Sequence, residues 1–476
     1  MKTGGRYNRL SDDASRDLCF DNPFVWAVAR DLDYPRNPLS GGRPNAYPLW
    51  VFFMWMVLIH EYGSSRRVEE AFEDSNHGPW RRIREAALRE FGNDRTDLIP
   101  LETPPTRNQF NYSLKHHLPA NSATIAGVVR RRSRRLAAAL GLGVEQSPGS
   151  LSRPAVERVA YGDVTVMTAR TRSLQRDARQ VDRTTGEVKY RRHDPDARRH
   201  TTGGGTVVSG LPWAFTHVRG KQRNQQVILA VDAVSQEVTE GHLVVGQYLE
   251  AAAELTGLVG YAYDRALRGV HLDLLLKAGH VGLVGVHQRG GKARDRYHGV
   301  ETHHPADGPS TSVEIHLVGG APHVRAYDVD GNHRLRPVRR KRINKRPNKT
   351  GGGFRLSAEY EVLDEATGET DGYVRIRLDQ TDEDILAGYN RPEHLRAFPE
   401  DDAVFIEIQR PLRASAESAN RAIDDHLPRE RLHHFGFEKG QLSMLAWQAH
   451  RNAQTEAVFA PQLGTSTARL NLKQSA

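Results

Sequence analysis

The chain has 476 residues, with 67 Lys and Arg against 58 Asp and Glu and a formal net charge of +9. That length supplies an ample core and room for more than one domain, and the positive balance points to a polyanionic partner. The single cysteine, Cys19, excludes an internal disulfide framework and any Cys-based zinc site, and it fits a reducing compartment.

The start, Met-Lys-Thr-Gly-Gly-Arg, has no apolar stretch of the kind a secretory signal needs. The most apolar run, 49–59, is too short to cross a bilayer and reads as a buried helix. The expectation is a soluble, cytoplasmic, nucleoid-associated protein without membrane contact.

Residues 1–142 read as a helical, DNA-binding domain. Pro48 opens a helix carrying Trp50, Phe53, Met54, Val57 and Leu58, which Gly63 ends, while Ser64 or Ser65 caps the next, 66–72. A third helix spans 123–140 and stops at Gly141. Its Arg130, Arg131, Arg132, Arg134 and Arg135 read as contacts to a DNA backbone, in preference to a solvated helix face. The Gly, Ser and Pro of 143–154 suggest a linker.

Strand patterns follow in 155–289: 159–168 around Asp163, 226–233, 258–263 before Asp264, and 281–286, with helices at 248–255 and 270–278. This mixed order argues for an α/β or α+β sheet domain. In 290–390 the pattern turns to short antiparallel strands, 312–318, 324–329, 354–362 and 372–378, with turns at Asp330-Gly331 and Thr367-Gly368. Among them, 334–349 reads as a loop dense in cations, including Arg339, Arg340, Lys341, Arg342, Lys345 and Arg346, and it is expected to contact nucleic acid.

The segment 391–455 returns to helix. Leu412, Ala416, Ala419, Ile423 and Leu427 form an apolar face, with Arg413, Glu417, Arg421 and Asp424 on the other, where they also suit a plain salt-bridge ladder. A last helix covers 441–452, and 456–476 is a tail.

Three acids stand out: Asp163 and Asp264 on or after strands, and Glu417 on a helix. Taken singly, each has an ordinary reading, as a turn former, a cap or a helix-surface charge. Asp232, which ends the most apolar strand, competes with them and reads as structural.

Together, Asp163-Val164-Thr165, Tyr263-Asp264-Arg265, a β-rich insertion, and Arg413 ahead of Glu417 resemble the DDE transposases of bacterial insertion sequences, in the branch with strands inserted before the catalytic glutamate. The likeness extends from Gly42-Arg43-Pro44 to the end of the last helix. It implies an RNase H-like mixed sheet flanked by helices, split into 155–289 and 391–455 around the insertion. It also implies DNA strand cleavage and strand transfer at terminal inverted repeats and target DNA, by a homodimer assembled on double-stranded DNA.

In such enzymes two Mg²⁺ ions, or Mn²⁺ in their place, sit among carboxylates, so Asp163 is expected to bridge the metals, with Asp264 and Glu417 each completing one site. Arg413 would hold a phosphate or orient the glutamate. The family pattern expects Tyr at Arg410 and Lys at Asp424. These departures spare the acids and put the phosphate contacts in question, so two alternatives stay open: an impaired or domesticated DNA-binding protein, and an RNase H-like nuclease without strand joining.

Other motifs fail. Gly290-Gly291-Lys292 lacks the first glycine and the Ser or Thr of a P-loop. The pairs His116-His117, His303-His304 and His433-His434 read as surface or core-edge residues, because adjacent side chains point apart.

Overall fold

The computed structural model describes residues 12–32, 47–74, 78–92, 94–170, 179–181, 184–190, 193–201, 205, 207–287, 296–327, 331–364, 367–427, 431–434 and 436–459. Gly42-Arg43-Pro44, Gly290-Gly291-Lys292, Asp330 and the tail beyond 459 lie outside these residues.

In chain order the helices α1 (Asp12–Phe20), α2 (Pro23–Asp31), α3 (Leu49–Tyr62), α4 (Ser65–Phe72), α5 (Gly78–Phe91), α6 (Arg107–His116) and α7 (Ser122–Ala139) come first. Strands β1 (Val159–Thr168), β2 (Arg179–Val181), β3 (Val188–Tyr190), β4 (Arg198–Thr201), β5 (Val207–Arg219) and β6 (Gln226–Ala233) follow. Next come α8 (Glu240–Glu254), β7 (Gly260–Ala262), α9 (Gly269–Lys277) and β8 (Val281–Leu283). A run of strands comprises β9 (Arg296–Pro305), β10 (Thr311–Val318), β11 (Ala321–Tyr327), β12 (His333–Pro337), β13 (Arg339–Pro347), β14 (Phe354–Leu363) and β15 (Thr370–Arg377). Four helices close the chain: α10 (Asp382–Leu386), α11 (Arg391–His394), α12 (Arg410–His426) and α13 (Gly436–Phe459). The protein is thus a mixed helix-and-sheet fold, with parallel pairing in one sheet and antiparallel pairing throughout another. Among the described residues no helix is long and apolar enough to cross a membrane.

Contacts group the chain into two compact units, Met1–Leu140 with Val164–Glu237 and Ser418–Ala476, and Gly141–Asp163 with Val238–Glu417. The first boundary, after Leu140, falls two residues from the composition shift at 142, whereas the others cut β1 after Asp163, precede α8 after Glu237 and cut α12 after Glu417.

The first unit is built on α3, which is apolar on every side and is accordingly buried from Leu49 to His60. Gly63, at φ 77°, ends it in the left-handed conformation, and the Ser64 side chain accepts from Arg67 N to start α4. In the same unit β5 and β6 form an antiparallel pair from Trp213 and Ala233 to Arg219 and Gln226. The sequence reading missed β5, because Gly210 and Pro212 look like breakers. Here Gly210 pairs with Arg198 of β4, and the Pro212 carbonyl accepts from Val234 N.

The far side of β6 has no strand neighbour among the described residues, and α13 covers it instead. Gln441, Gln448, Asn452 and Thr455, on one face of α13, hydrogen-bond backbone groups of Val231, Ala233, Ile228 and Gln226. Amide side chains thereby satisfy a sheet edge that would otherwise be buried unpaired or open to another strand.

In the second unit, the first residues of β1 pair in parallel with β7, and β7 pairs in parallel with β8, α9 making the crossover between β7 and β8. The other sheet of this unit has the order β12-β11-β10-β9-β15-β14-β13. Its outermost strands, β12 and β13, are consecutive in the chain with only Val338 between them, so the sheet rolls until its edges meet. The cationic stretch 334–349, expected as a loop, is therefore mostly strand. One core gathers Val159, Tyr161, Ala262 and Leu283 with Leu356, Tyr360 and Ile376 of the rolled sheet and with Phe405, Ile408, Leu412 and Ala416.

The Asn452 clamp yields a stability prediction. Asn452→Ala leaves the buried Ile228 N–H without its acceptor, and the unfolding free energy is expected to fall by about 1–3 kcal/mol in urea denaturation.

Candidate active site

The second unit holds the three predicted acids, and the register of β1 with β7 decides where two of them stand. Val159 pairs with Gly260, Ala160 with Tyr261 and Tyr161 with Ala262, a constant step of 101 positions. Two residues beyond the last of these pairs stand Asp163, still on β1, and Asp264, just past the end of β7. Neighbouring strands run about 4.8 Å apart, and residues two apart share a face. Both half-buried carboxylates accordingly line one small depression, on the side of Tyr161 and Ala262. The Asp264 Oδ1 accepts from Ala266 N at 2.8 Å, an Asx turn that leads the chain away from β7.

A helix closes the depression. Phe405–Gln409 is a π-helical stretch that runs directly into α12. Phe405, Ile408, Leu412 and Ala416 enter the core, which turns the row Gln409, Arg413, Glu417 toward the strand ends at four-residue steps. Gln409 lies under this row, and its Nε2 donates to the Tyr263 carbonyl at 3.4 Å. Arg413 lines the same depression as the two aspartates.

Glu417 stands one turn further on. It is not among the residues lining the depression, and its Oε1 accepts from Arg413 Nε at 3.3 Å. Among the described residues, the carboxylates of Asp163, Asp264 and Glu417 do not all come within 4.8 Å of one another. The fold thus brings Asp163, Asp264 and Arg413 together and leaves Glu417 at the margin. The Arg413 and Glu417 side chains are 55% and 63% exposed, and such a helix-surface pair is worth only about 0.3–0.5 kcal/mol, so little holds Glu417 in its present rotamer.

One acid near this site had no signal in the sequence. Glu240, the first residue of α8, accepts from the Tyr263 hydroxyl at 2.7 Å. Burial pushes its pKa up against that hydrogen bond, and the charge of Asp264 pushes it further. Only its place in the first turn of a helix could have drawn attention to it.

The two basic stretches have different fates. On α7, Arg130 pairs with Asp232, Arg131 with Asp31, and Arg132 with Glu456 while also lying over the Phe24 ring. Arg134 is only 4% exposed, and Arg135 is half-buried. Of the five arginines expected to contact a DNA backbone, Arg130, Arg132 and Arg134 are turned inward, while Arg131 stays about half exposed beside Asp31. Asp232 is occupied by Arg130.

On β13, by contrast, only Arg340 is taken inside, against Asp402 at 2.8 Å and over Phe398. Glu361 is shared by Arg339 and Lys341, and Glu359 by Arg342 and Arg375, so each carboxylate faces two cations. Arg339, Lys341 and Arg342 remain more than half exposed, Lys345 sits 4.0 Å over the Phe354 ring, and exposed Arg346 lies opposite Arg355 in the ladder. An uncompensated positive surface remains there.

A second cluster lies in the first unit. Cys19, Glu61 and His450 offer ligand atoms within 4.8 Å of one another. His450 Nδ1 faces the Cys19 Sγ at 3.3 Å, and Nε2 faces Glu61 Oε1 at 2.7 Å. Each ring nitrogen serves a different neighbour, and burial pushes the thiol pKa well up, so the trio reads as a buried hydrogen-bonded relay. His433 and His434 are also neutral by burial, with pKa values lowered to about 4 and about 3.

Glu61 provides a pH test. Burial alone would raise its pKa, but the hydrogen bond and charge of His450 prevail and hold it at about 2, below the ordinary 4.5. Its stabilising contribution is therefore present above about 4.5 and lost as pH falls toward 2. The stability gap between wild type and Glu61→Gln, followed by urea denaturation, should shrink over that window. No family model matches this chain, and no curated protein matches it.

Proposed function

We propose that the chain is a DDE-type transposase that cleaves and joins DNA strands with divalent cations. The observation that carries this reading is the depression just past the last β1–β7 pair, which Asp163, Asp264 and Arg413 line together, with Glu417 one turn further along the same helix. The order of elements agrees with an RNase H-like core: strands β1, β5 and β6, then α8, β7, α9 and β8, followed by an inserted β-sheet and the glutamate helix.

The donor set is hard oxygen, which suits Mg²⁺ or Mn²⁺. The aspartates that line the depression would hold one such ion, and a second would need the Glu417 carboxylate to leave Arg413. When bound, the ions would activate a water or 3′-hydroxyl nucleophile and offset charge on the leaving oxygen. Arg413 contributes a fixed positive charge beside the acids, suited to a phosphate once Glu417 has turned away. Gln409 holds the Tyr263 peptide and with it the approach to Asp264. The exposed cations of β13 supply a track for the DNA backbone, with an assembly of two copies on the DNA and a cytoplasmic setting as further parts of the proposal.

A second reading is a DNA-binding protein of the same architecture that does not cleave. It draws on the tether of Glu417 to Arg413 and on Arg410 and Asp424 at positions where the family pattern has Tyr and Lys.

The test uses donor DNA carrying the flanks of the protein's own gene, with Mg²⁺ or Mn²⁺ and strand products resolved on a gel. Asp163→Asn, Asp264→Asn and Glu417→Gln should each abolish cleavage while DNA binding persists. Cleavage that survives any of them removes that residue from the mechanism, and binding without cleavage by the wild type selects the second reading. Replacing Arg339, Lys341 and Arg342 with Ala should weaken binding and make its logarithmic salt dependence shallower by about 0.9 for each phosphate that is no longer neutralised. An unaltered slope would assign β13 to ordinary surface.

A further inference from the structure

Tyr263 immediately precedes Asp264 and is only 2% exposed. Its N–H reaches the Leu283 carbonyl at 3.4 Å, its carbonyl receives Gln409 Nε2, and its hydroxyl donates to Glu240 at 2.7 Å. Its ring stacks on Tyr261. The orientation of the peptide that presents Asp264 therefore depends on the groups that grip this tyrosine.

Glu240 is itself well seated. Gly241 follows it, and a Cβ there would fall 2.2 Å from His271 Cε1, so the first turn of α8 is pressed against the start of α9 at a point where only glycine fits. The helix N-terminus offsets only part of the cost of a negative charge at this position.

A buried tyrosine hydroxyl needs an acceptor, and a neutral amide at position 240 would serve without penalty. A carboxylate serves at a cost, because it is partly desolvated and shares the neighbourhood with the charge of Asp264. A group that is unfavourable in the cation-free protein becomes favourable when positive charge occupies the site.

We propose that Glu240 is a positioning residue of the candidate active site, holding Asp264 in place through Tyr263 and adding negative charge that a bound divalent cation compensates. This rests on the reading of Asp264 as a cation ligand. Glu240 acts through its neighbour, much as carboxylates behind metal ligands do.

The test measures Mn²⁺ binding to the full chain without DNA, from the spectrum of free Mn²⁺, together with the thermal midpoint of the cation-free protein. Glu240→Gln keeps the shape and the acceptor. It should weaken Mn²⁺ binding by about tenfold, the low end for residues behind a metal ligand, while the cation-free midpoint stays level or rises. Tyr263→Phe, which cuts the link, should also weaken binding. Mn²⁺ affinity unchanged in Glu240→Gln, or unchanged in Tyr263→Phe, overturns the proposal, as does a drop in the cation-free midpoint of Glu240→Gln. Asp264→Asn keeps the two levels of failure apart. If the wild type binds no Mn²⁺, or Asp264→Asn binds as well as wild type, the cation-site reading itself falls and Glu240 with it.

Discussion

The parallel register of β1 on β7 is the constraint on which the candidate site depends. Side chains alternate along a strand, so a slip of one residue would turn Tyr161 and Asp163 together to the opposite face of the sheet, away from Ala262 and Asp264. Burial prevents that slip, because Val159, Tyr161 and Ala262 are all committed to the core of the second unit. Hydrophobic packing a few residues upstream thus determines the position of two carboxylates.

The helix that faces them obeys the same logic at a different period. Phe405, Ile408, Leu412 and Ala416 point into that core, and the row at 409, 413 and 417 follows one position behind. The π-helical entry widens the turn just before α12, a feature often found where a helix must present side chains to a site. Gln409 then ties the row to Tyr263, whose hydroxyl and carbonyl are both in use. Tyr263, Gln409 and Glu240 form a hydrogen-bonded frame behind Asp264, while Glu417, in an exposed ion pair with Arg413, is the adjustable member of the site.

Charge is distributed unequally between the two basic stretches. Arg130, Arg131 and Arg132 each meet an acid within the first unit. Along β13, Arg339, Lys341 and Arg342 share acids two to one and stay exposed, so cations outnumber the acids beside them on this strand. Two runs of similar composition therefore differ in what they offer a polyanion, and the difference lies in the acids opposite them.

Local pattern by itself determined β1, β6 and α9, the end of α3 at Gly63, and the apolar face of α12, since each rests on periodicity or on a capping residue within a few positions. The resemblance to DDE transposases, more than any local pattern, singled out Asp163, Asp264, Arg413 and Glu417. Local pattern missed β5, where Gly210 and Pro212 mimic breaks, and it took β12 and β13 for a loop, because a dense run of cations hides the strand period around Leu335 and Ile343. Tertiary structure alone decided that Asp163 and Asp264 share one depression, that Glu417 leans on Arg413, that most of the α7 arginines turn inward, and that Glu240 stands behind Tyr263. The reason is physical: propensity and periodicity act over a few residues, whereas most of these pairings join groups 23 to over 300 positions apart and exist only once the cores have packed.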